Sequence, residues 1–230
     1  MSQPKGKMKV VIVGTMHLEP EAYSSYGQRL REIIEEVGPD VICAEVSPEQ
    51  LAGIQPCNSK PEQRDVVLPT AARLGITVVP IQLPTALALE WQSRYRAVDD
   101  ALRKQEPQRH YLQYSEALSF QEAELWREMM KSGVCIENVQ LTEYHVFAAA
   151  RDAVERQLLP ERDRLLTEWN ESFLKRIEEV IATRPGSLLM VIAGLWHKHW
   201  LWDRLRERDD VEVYDLQSYR RKRAAKTANP

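Results

Sequence analysis

The sequence predicts an α/β fold with an open, mostly parallel five-stranded sheet, on three observations. Five short apolar runs, "MKVVIV", "DVICAE", "ITVVPI", "SLLMVIAG" and "VEVYDL", read as strands, the inner ones buried on both faces. Helical patterns separate the first three and the last two, which gives the β-α-β alternation of parallel sheets. Between the third and fourth runs, positions 85–183 hold helical patterns and no convincing strand.

In chain order, strand "MKVVIV" leads to a helix in which Tyr26, Leu30, Ile33, Ile34 and Val37 share one face. Pro20 suits its first turn and Gly38-Pro39 its end. After "DVICAE", Pro48 opens a short helix, and "GIQPCNSKPEQ" reads as a loop. "VVLPTAARLG" is helical despite Pro69 and precedes the third strand. In the segment 85–183, Thr85 is the expected cap of the first helix. Ser119-Phe-Gln-Glu122 has the form of a capping box, opening a helix that Gly133 closes. Thr142 caps "EYHVFAAARDAVERQLL", and Leu165, Trp169, Phe173 and Ile177 form an i, i+4 stripe. The last two strands flank the helix "HKHWLWDRLRE". The basic end, 219–230, lacks an apolar stripe and reads as a solvated tail. The expectation is one domain over 1–230, with 85–183 inserted in it and strand order 3-2-1-4-5, the usual right-handed winding.

With 230 residues and 43% hydrophobic content, the chain can bury one sizeable core. A net charge of -3 gives no steering toward nucleic acid or anionic lipid. No apolar run reaches the roughly 18 residues of a membrane span, and the N-terminus does not read as a signal peptide. Cys43, Cys57 and Cys135 are odd in number and lack CxxC spacing, as expected of free thiols in a reducing cytoplasm. No P-loop, Gly-x-Gly-x-x-Gly or Gly-x-Ser-x-Gly is present, which argues against simple nucleotide or serine-hydrolase chemistry.

Two strands run into the same motif. "VVIVGTMH" ends in Gly14-x-x-His17, and "LLMVIAGLWH" in Gly194-x-x-His197. Chance would give roughly 0.2 such spacings from 9 Gly and 5 His in 230 positions. Ligands of open parallel sheets bind beyond the carboxyl ends of the strands, where the winding reverses. Neighbouring first and fourth strands would bring His17 and His197 together there, with Glu45 ending the second strand beside them. Two imidazoles and a carboxylate with open positions suit Zn, Mn or Fe and a bound water. Glu19 and Glu21 follow His17 closely, either as fourth ligand or general base, or simply as acids of a first helical turn. His199 stands i+2 from His197 and diverges from it on a helix, while His110 reads as exposed and His145 is a weaker site candidate. Trp196, Trp200 and Trp202 read as core or pocket wall.

"VGTMH", "VICAEVS" and "AGLWH" together resemble the TraB/PrgY/Tiki superfamily, related in fold to the erythromycin esterase and ChaN-like proteins. The resemblance spans about 8–52 and 160–205. It implies that His17, His197 and Glu45 are metal ligands in a metal-dependent peptidase, with Mn, Zn, Co or Fe as cofactor. Many members carry Glu-Arg-Asn before the last long helix. Here Glu168-Trp169-Asn170 stands in that place, its arginine displaced, with Arg162 the nearest candidate. The functional expectation is a cytoplasmic metal-dependent hydrolase of a peptide or another amide or ester, with Glu45, Glu19 or Glu21 serving catalysis. The expected partner is a small peptide or small molecule, with no nucleic acid or membrane and a homodimer left open. The alternatives are a non-catalytic iron or haem binder of ChaN-like type, and a degenerate scaffold whose helical insertion contacts proteins.

Overall fold

The computed structural model describes residues 7–18, 24–57, 60–131, 136 and 142–228. Five parallel strands, β1 (Met8–Thr15), β2 (Val41–Ala44), β3 (Thr77–Pro80), β4 (Leu188–Gly194) and β5 (Val211–Tyr214), form one open sheet. The α/β class with its parallel sheet stands as the sequence predicts. The order is β3-β2-β4-β1-β5, a correction to 3-2-1-4-5: β1 and β4 are neighbours, but in exchanged places. Both are unbroken apolar runs, and Leu189–Gly194 are as buried as Val10–Thr15. Local pattern therefore cannot tell which of the two lies beside β2. Pairing decides it: β4 registers Ile192 against Ala44, and the Glu45 N–H continues the ladder to the Ile192 carbonyl at 3.1 Å. The shorter, half-exposed β3 and β5 take the edges.

Side chains alternate across the sheet. Val11, Val13, Ile42, Ala44, Met190 and Ile192 face α1 (Ser24–Val37) and a π-helical turn, Gln63–Val67, that runs into α3 (Leu68–Leu74). A four-residue helix, α2 (Pro48–Leu51), precedes that turn, with Ser47 and Gln50 completing a capping box. Val10, Ile12, Cys43, Leu189, Val191 and Ala193 face the other way, toward α4 (Thr85–Leu102), α7 (Pro160–Thr183) and α8 (Leu195–Arg206). The predicted stripe Leu165, Trp169, Phe173 and Ile177 is buried on α7, and burial of each side chain stabilises by about 2 kcal/mol. α5 (Gln108–Lys131) and α6 (Thr142–Leu158) complete the stretch 85–183. α7 is thus itself a layer on the sheet.

Four local expectations change. Ser119 lies inside α5, which runs unbroken from Gln108; Glu122 accepts from the Trp126 indole at 3.2 Å, and Gly133 lies outside the described residues. Pro84 occupies the position before α4, and the first N–H of that helix, at Thr85, donates to Glu49 at 3.2 Å. The loop reading of "GIQPCNSKPEQ" fails at its end, because Lys60, Glu62 and Gln63 are buried. The basic end forms α9 (Leu216–Ala228). Leu216 is buried, Tyr219 packs on the core, and Arg220 clamps Glu36 through two 2.6 Å hydrogen bonds. Among the described residues, no helix is long and apolar enough to cross a membrane.

Candidate functional site

β1 and β4 end side by side, with Thr15 paired to Gly194. Their connections then leave in different ways. After β4 the chain enters α8 at Leu195, so His197 sits in the first turn of that helix. After β1, His17 takes φ +53, the left-handed region, at a cost of about 1–2 kcal/mol. Such strain persists where the surroundings hold it, and here a buried carboxylate does. Nδ1 of His17 donates to Glu62 at 2.7 Å, which leaves Nε2 directed at Glu45, 3.9 Å from Oε2. His197 is arranged alike. Its Nδ1 donates to Asn170 of α7 at 2.6 Å, and its Nε2 lies 3.7 Å from Glu45 Oε1. Both imidazoles thus expose the same nitrogen to the same carboxylate, one to each oxygen.

The two motif glycines interlock at this point. A β-carbon on Gly194 would stand 2.8 Å from Nε2 of His17. A β-carbon on Gly14 would collide with the Leu195 side chain and stand 3.2 Å from Lys198 Cδ. Each glycine gives room to residues that follow the other strand.

Glu45 is 2% exposed. Burial opposes its charge, but Lys60, His197, His17 and the Gly194 N–H together hold its carboxyl down at about 2. The Lys60 ammonium stands 3.2 Å from Oε1, and the Gly194 N–H donates to Oε2 at 2.5 Å. Lys60 also donates to Gln82, and Gln63 donates to the Ile192 carbonyl at 3.3 Å, tying this segment to β4. For His197, burial outweighs the pull of Glu45 and lowers the pKa, favouring a neutral ring with a free lone pair on Nε2. For His17, burial also opposes charge, but the hydrogen bond to Glu62 and the charge of Glu45 outweigh it, and the pKa is raised.

The structure therefore brings together His17, His197 and Glu45. Glu19 and Glu21 lie outside the described residues. His199 turns away, to Asp152 at 2.6 Å; His145 pairs with Asp203 and His110 with Glu106. Sequence reading missed Lys60 and Glu62, whose signal was slight: a lysine and a glutamate flanking Pro61, ahead of an apolar run. Asn170 stood in the sequence only as part of the altered Glu168-Trp169-Asn170 stretch.

The donor set fits a transition-metal ion in type and orientation. Histidine ligands commonly donate their second nitrogen to a carboxylate or carbonyl, as His17 does to Glu62 and His197 to Asn170. Glu62 Oε2, Gln63 Oε1 and Thr15 Oγ1 are buried without a hydrogen-bond partner. The spacing is wide: two bonds of about 2.1 Å at a tetrahedral angle separate ligand atoms by roughly 3.4 Å. Among the described residues, no group of three or more His, Cys, Asp or Glu side chains is arranged to hold an ion as it stands. Against that separation the two Nε2 atoms stand 3.9 and 3.7 Å from Glu45, and an ion there would share Glu45 with Lys60.

Above the crevice, helices α5 and α6 form cavities around Trp196. One includes His17, with Trp126 and Tyr144 in its wall; another, of about 320 Å³, includes His197 and Asn170. Trp196 lines both. The chain matches no family model, and no curated protein or solved structure was found to be similar to it.

Proposed function

We propose that this protein is a metal-dependent hydrolase of a peptide or another amide or ester, acting in the cytoplasm. The observation that carries the reading is the common orientation of the two imidazoles, each held through Nδ1 with Nε2 turned to Glu45. His17, His197 and Glu45 would hold the ion. A divalent ion in such a site supplies a Lewis acid and lowers the pKa of water toward neutrality. The chain's own residues prepare the site. Glu62 keeps the proton of His17 on Nδ1 and the ring in place, and Asn170 does the same for His197. Lys60 and the Gly194 N–H keep Glu45 ionised although it is buried. The helical cover, with Trp126, Tyr144 and Trp196, limits access of bulk water and of large substrates. The buried free thiols Cys43 and Cys57 accord with a reducing compartment.

Lys60 favours a second reading. Its ammonium already neutralises Glu45 at 3.2 Å, as in a scaffold that has no ion. Metal analysis of protein purified without chelator separates the two. The hydrolase reading expects stoichiometric Mn, Zn, Co or Fe, lost in His17→Ala and in His197→Ala. At a hundredfold excess over its dissociation constant, the ion should stabilise the fold by about 2.7 kcal/mol. Each single variant should lose most of that gain, and the double variant little more, because one site couples them. Equal metal content in wild type and His17→Ala would overturn the ligand assignment.

A further inference from the structure

Helices α5 and α6, which cover the crevice, carry apolar side chains on their outer side. On α5, Tyr111, Tyr114, Leu118 and Leu125 recur in steps of three, four and seven residues, which is one face of a helix. Tyr114 and Leu118 form one wall of a groove of about 270 Å³; Phe147 and Val154 of α6 form the other, and Trp196 also lines it. Leu125 and Val146 extend this surface along the two helices. From Val146 to Val154, every exposed side chain of α6 is apolar. The charged groups that line the groove are already engaged: Arg151 stacks on the Trp196 ring and pairs with Asp152, and Glu122 accepts from the Trp126 indole.

The chain itself buries little of α5. Among the described residues of this 24-residue helix, Leu112 is the one buried side chain. Helices in globular proteins owe most of their stability to the packing of an apolar face, and here such a face is left open. The four wall residues, with Leu125, Val146 and Trp196, are each between 40% and 62% exposed. A buried aromatic side chain removes ~150–250 Å² from water, and an aliphatic one somewhat less, so this surface offers on the order of 600–700 Å² per copy. A stable interface takes about 800 Å² from each partner, polar rim included, so the area is what a dimer needs. Exposed apolar patches of this extent mark interaction sites.

We propose that this face is the interface between two copies of the chain, with α5 and α6 of each meeting across a two-fold axis so that the two grooves close into the core of a four-helix bundle. Such an interface sets each patch against itself, which a charged surface would resist and this charge-poor one does not. A lipid surface fits less well. Amphipathic helices that lie on membranes flank their apolar face with free Lys and Arg, whereas Arg127, Lys131 and Arg156 are paired with Glu124, Glu128 and Asp163. Trp196 belongs to this groove and to both cavities at the strand ends, so the interface would lie against the candidate site. The proposal needs no metal and does not depend on the hydrolase reading.

Sedimentation equilibrium of the full chain tests it. At tens of micromolar the wild type should sediment at twice the 26.6 kDa chain mass. Leu118→Glu combined with Phe147→Glu should raise the dimer dissociation constant at least about a hundredfold, because four unpaired carboxylates would enter an apolar core. Ile54→Glu, at a 74% exposed position after α2, should leave it unchanged. Circular dichroism checks each fold. If the double variant does not fold, Phe147→Ser, a milder change at a half-exposed position, tests the same contact and should weaken the dimer about tenfold. A monomeric wild type overturns the proposal whether or not the variants fold. So does a dimer whose affinity survives the α5 and α6 substitutions, or one that Ile54→Glu dissociates to the same extent. A monomer that binds phosphatidylglycerol vesicles, and loses that binding in Phe147→Ser, would also overturn it and assign the face to a membrane surface.

Discussion

At the strand ends, charge is buried: Glu62 is 0% exposed, Glu45 2% and Lys60 7%, and each touches another member of the same network. In the cover formed by α5 and α6, charge is spread on the outside, in pairs such as Arg127–Glu124 and Lys131–Glu128 along α5. Apolar groups show the inverse. The core under the crevice is closed, whereas Phe120, Val146 and Phe147 on the cover are more than half exposed. A small cluster of Leu102, Leu112 and Leu159 anchors the cover where it meets α4 and α7. The contrast teaches how work is divided. Buried, mutually paired groups hold a geometry at the strand ends, whereas the helical layer above them leaves apolar side chains exposed.

The largest effect expected to sharpen this contrast is on global stability. Phe173 is fully buried and packs on Trp169 and on the His197 ring, with centroids 6.1 and 4.9 Å apart. Phe173→Ala should cost about 3–5 kcal/mol in a urea melt, and should loosen His197 as well. Native-state hydrogen exchange in the same protein should find α5 and α6 opening well below the global free energy. Uniform protection across α5, α6 and β4 would break the comparison.

A smaller effect is expected from the groups behind the imidazoles. Glu62→Gln and Asn170→Ala should each weaken metal retention by roughly 10–100-fold, with the fold intact by circular dichroism. The same affinities measured for His199→Ala should stay near wild type, because His199 faces Asp152 and not Glu45. Loss in His199→Ala equal to that in Glu62→Gln would place the ion elsewhere.

The smallest effect belongs to the cover's exterior. Arg127 and Glu124 are about 39% and 50% exposed, so Arg127→Ala should change stability by no more than about 0.5 kcal/mol, less in high salt. A larger change, measured by thermal melt, would mean that the α5 surface carries more of the fold than its exposure implies.

Much of this molecule is legible from local pattern. The five strands, the α1 and α7 stripes and the paired Gly-x-x-His units all follow from apolar periodicity and spacing, because each is set by neighbours within one or two turns of chain. Glu45 was legible too, as an acid at the end of an apolar strand. Glu62 and Lys60 were not, since a polar run beside Pro61 looks the same in a solvated loop as in one folded under the sheet. The α9 helix escaped for a related reason: Leu216 and Tyr219 are its main anchors, too few to make a stripe.

By itself, then, the sequence determined the kind of sheet, the two motifs and the chemical types at the strand ends. Tertiary structure alone decided which of two equally apolar strands lies beside β2, and hence that β4 carries the ladder to Glu45. It decided that Glu62 and Asn170, 45 and 27 residues from the histidines they hold, set the two rings, and that Arg151 stacks on Trp196. The physical reason is one of range. Periodicity records which face of an element is buried, but the partner it is buried against is chosen by packing and hydrogen bonds between segments far apart in the chain.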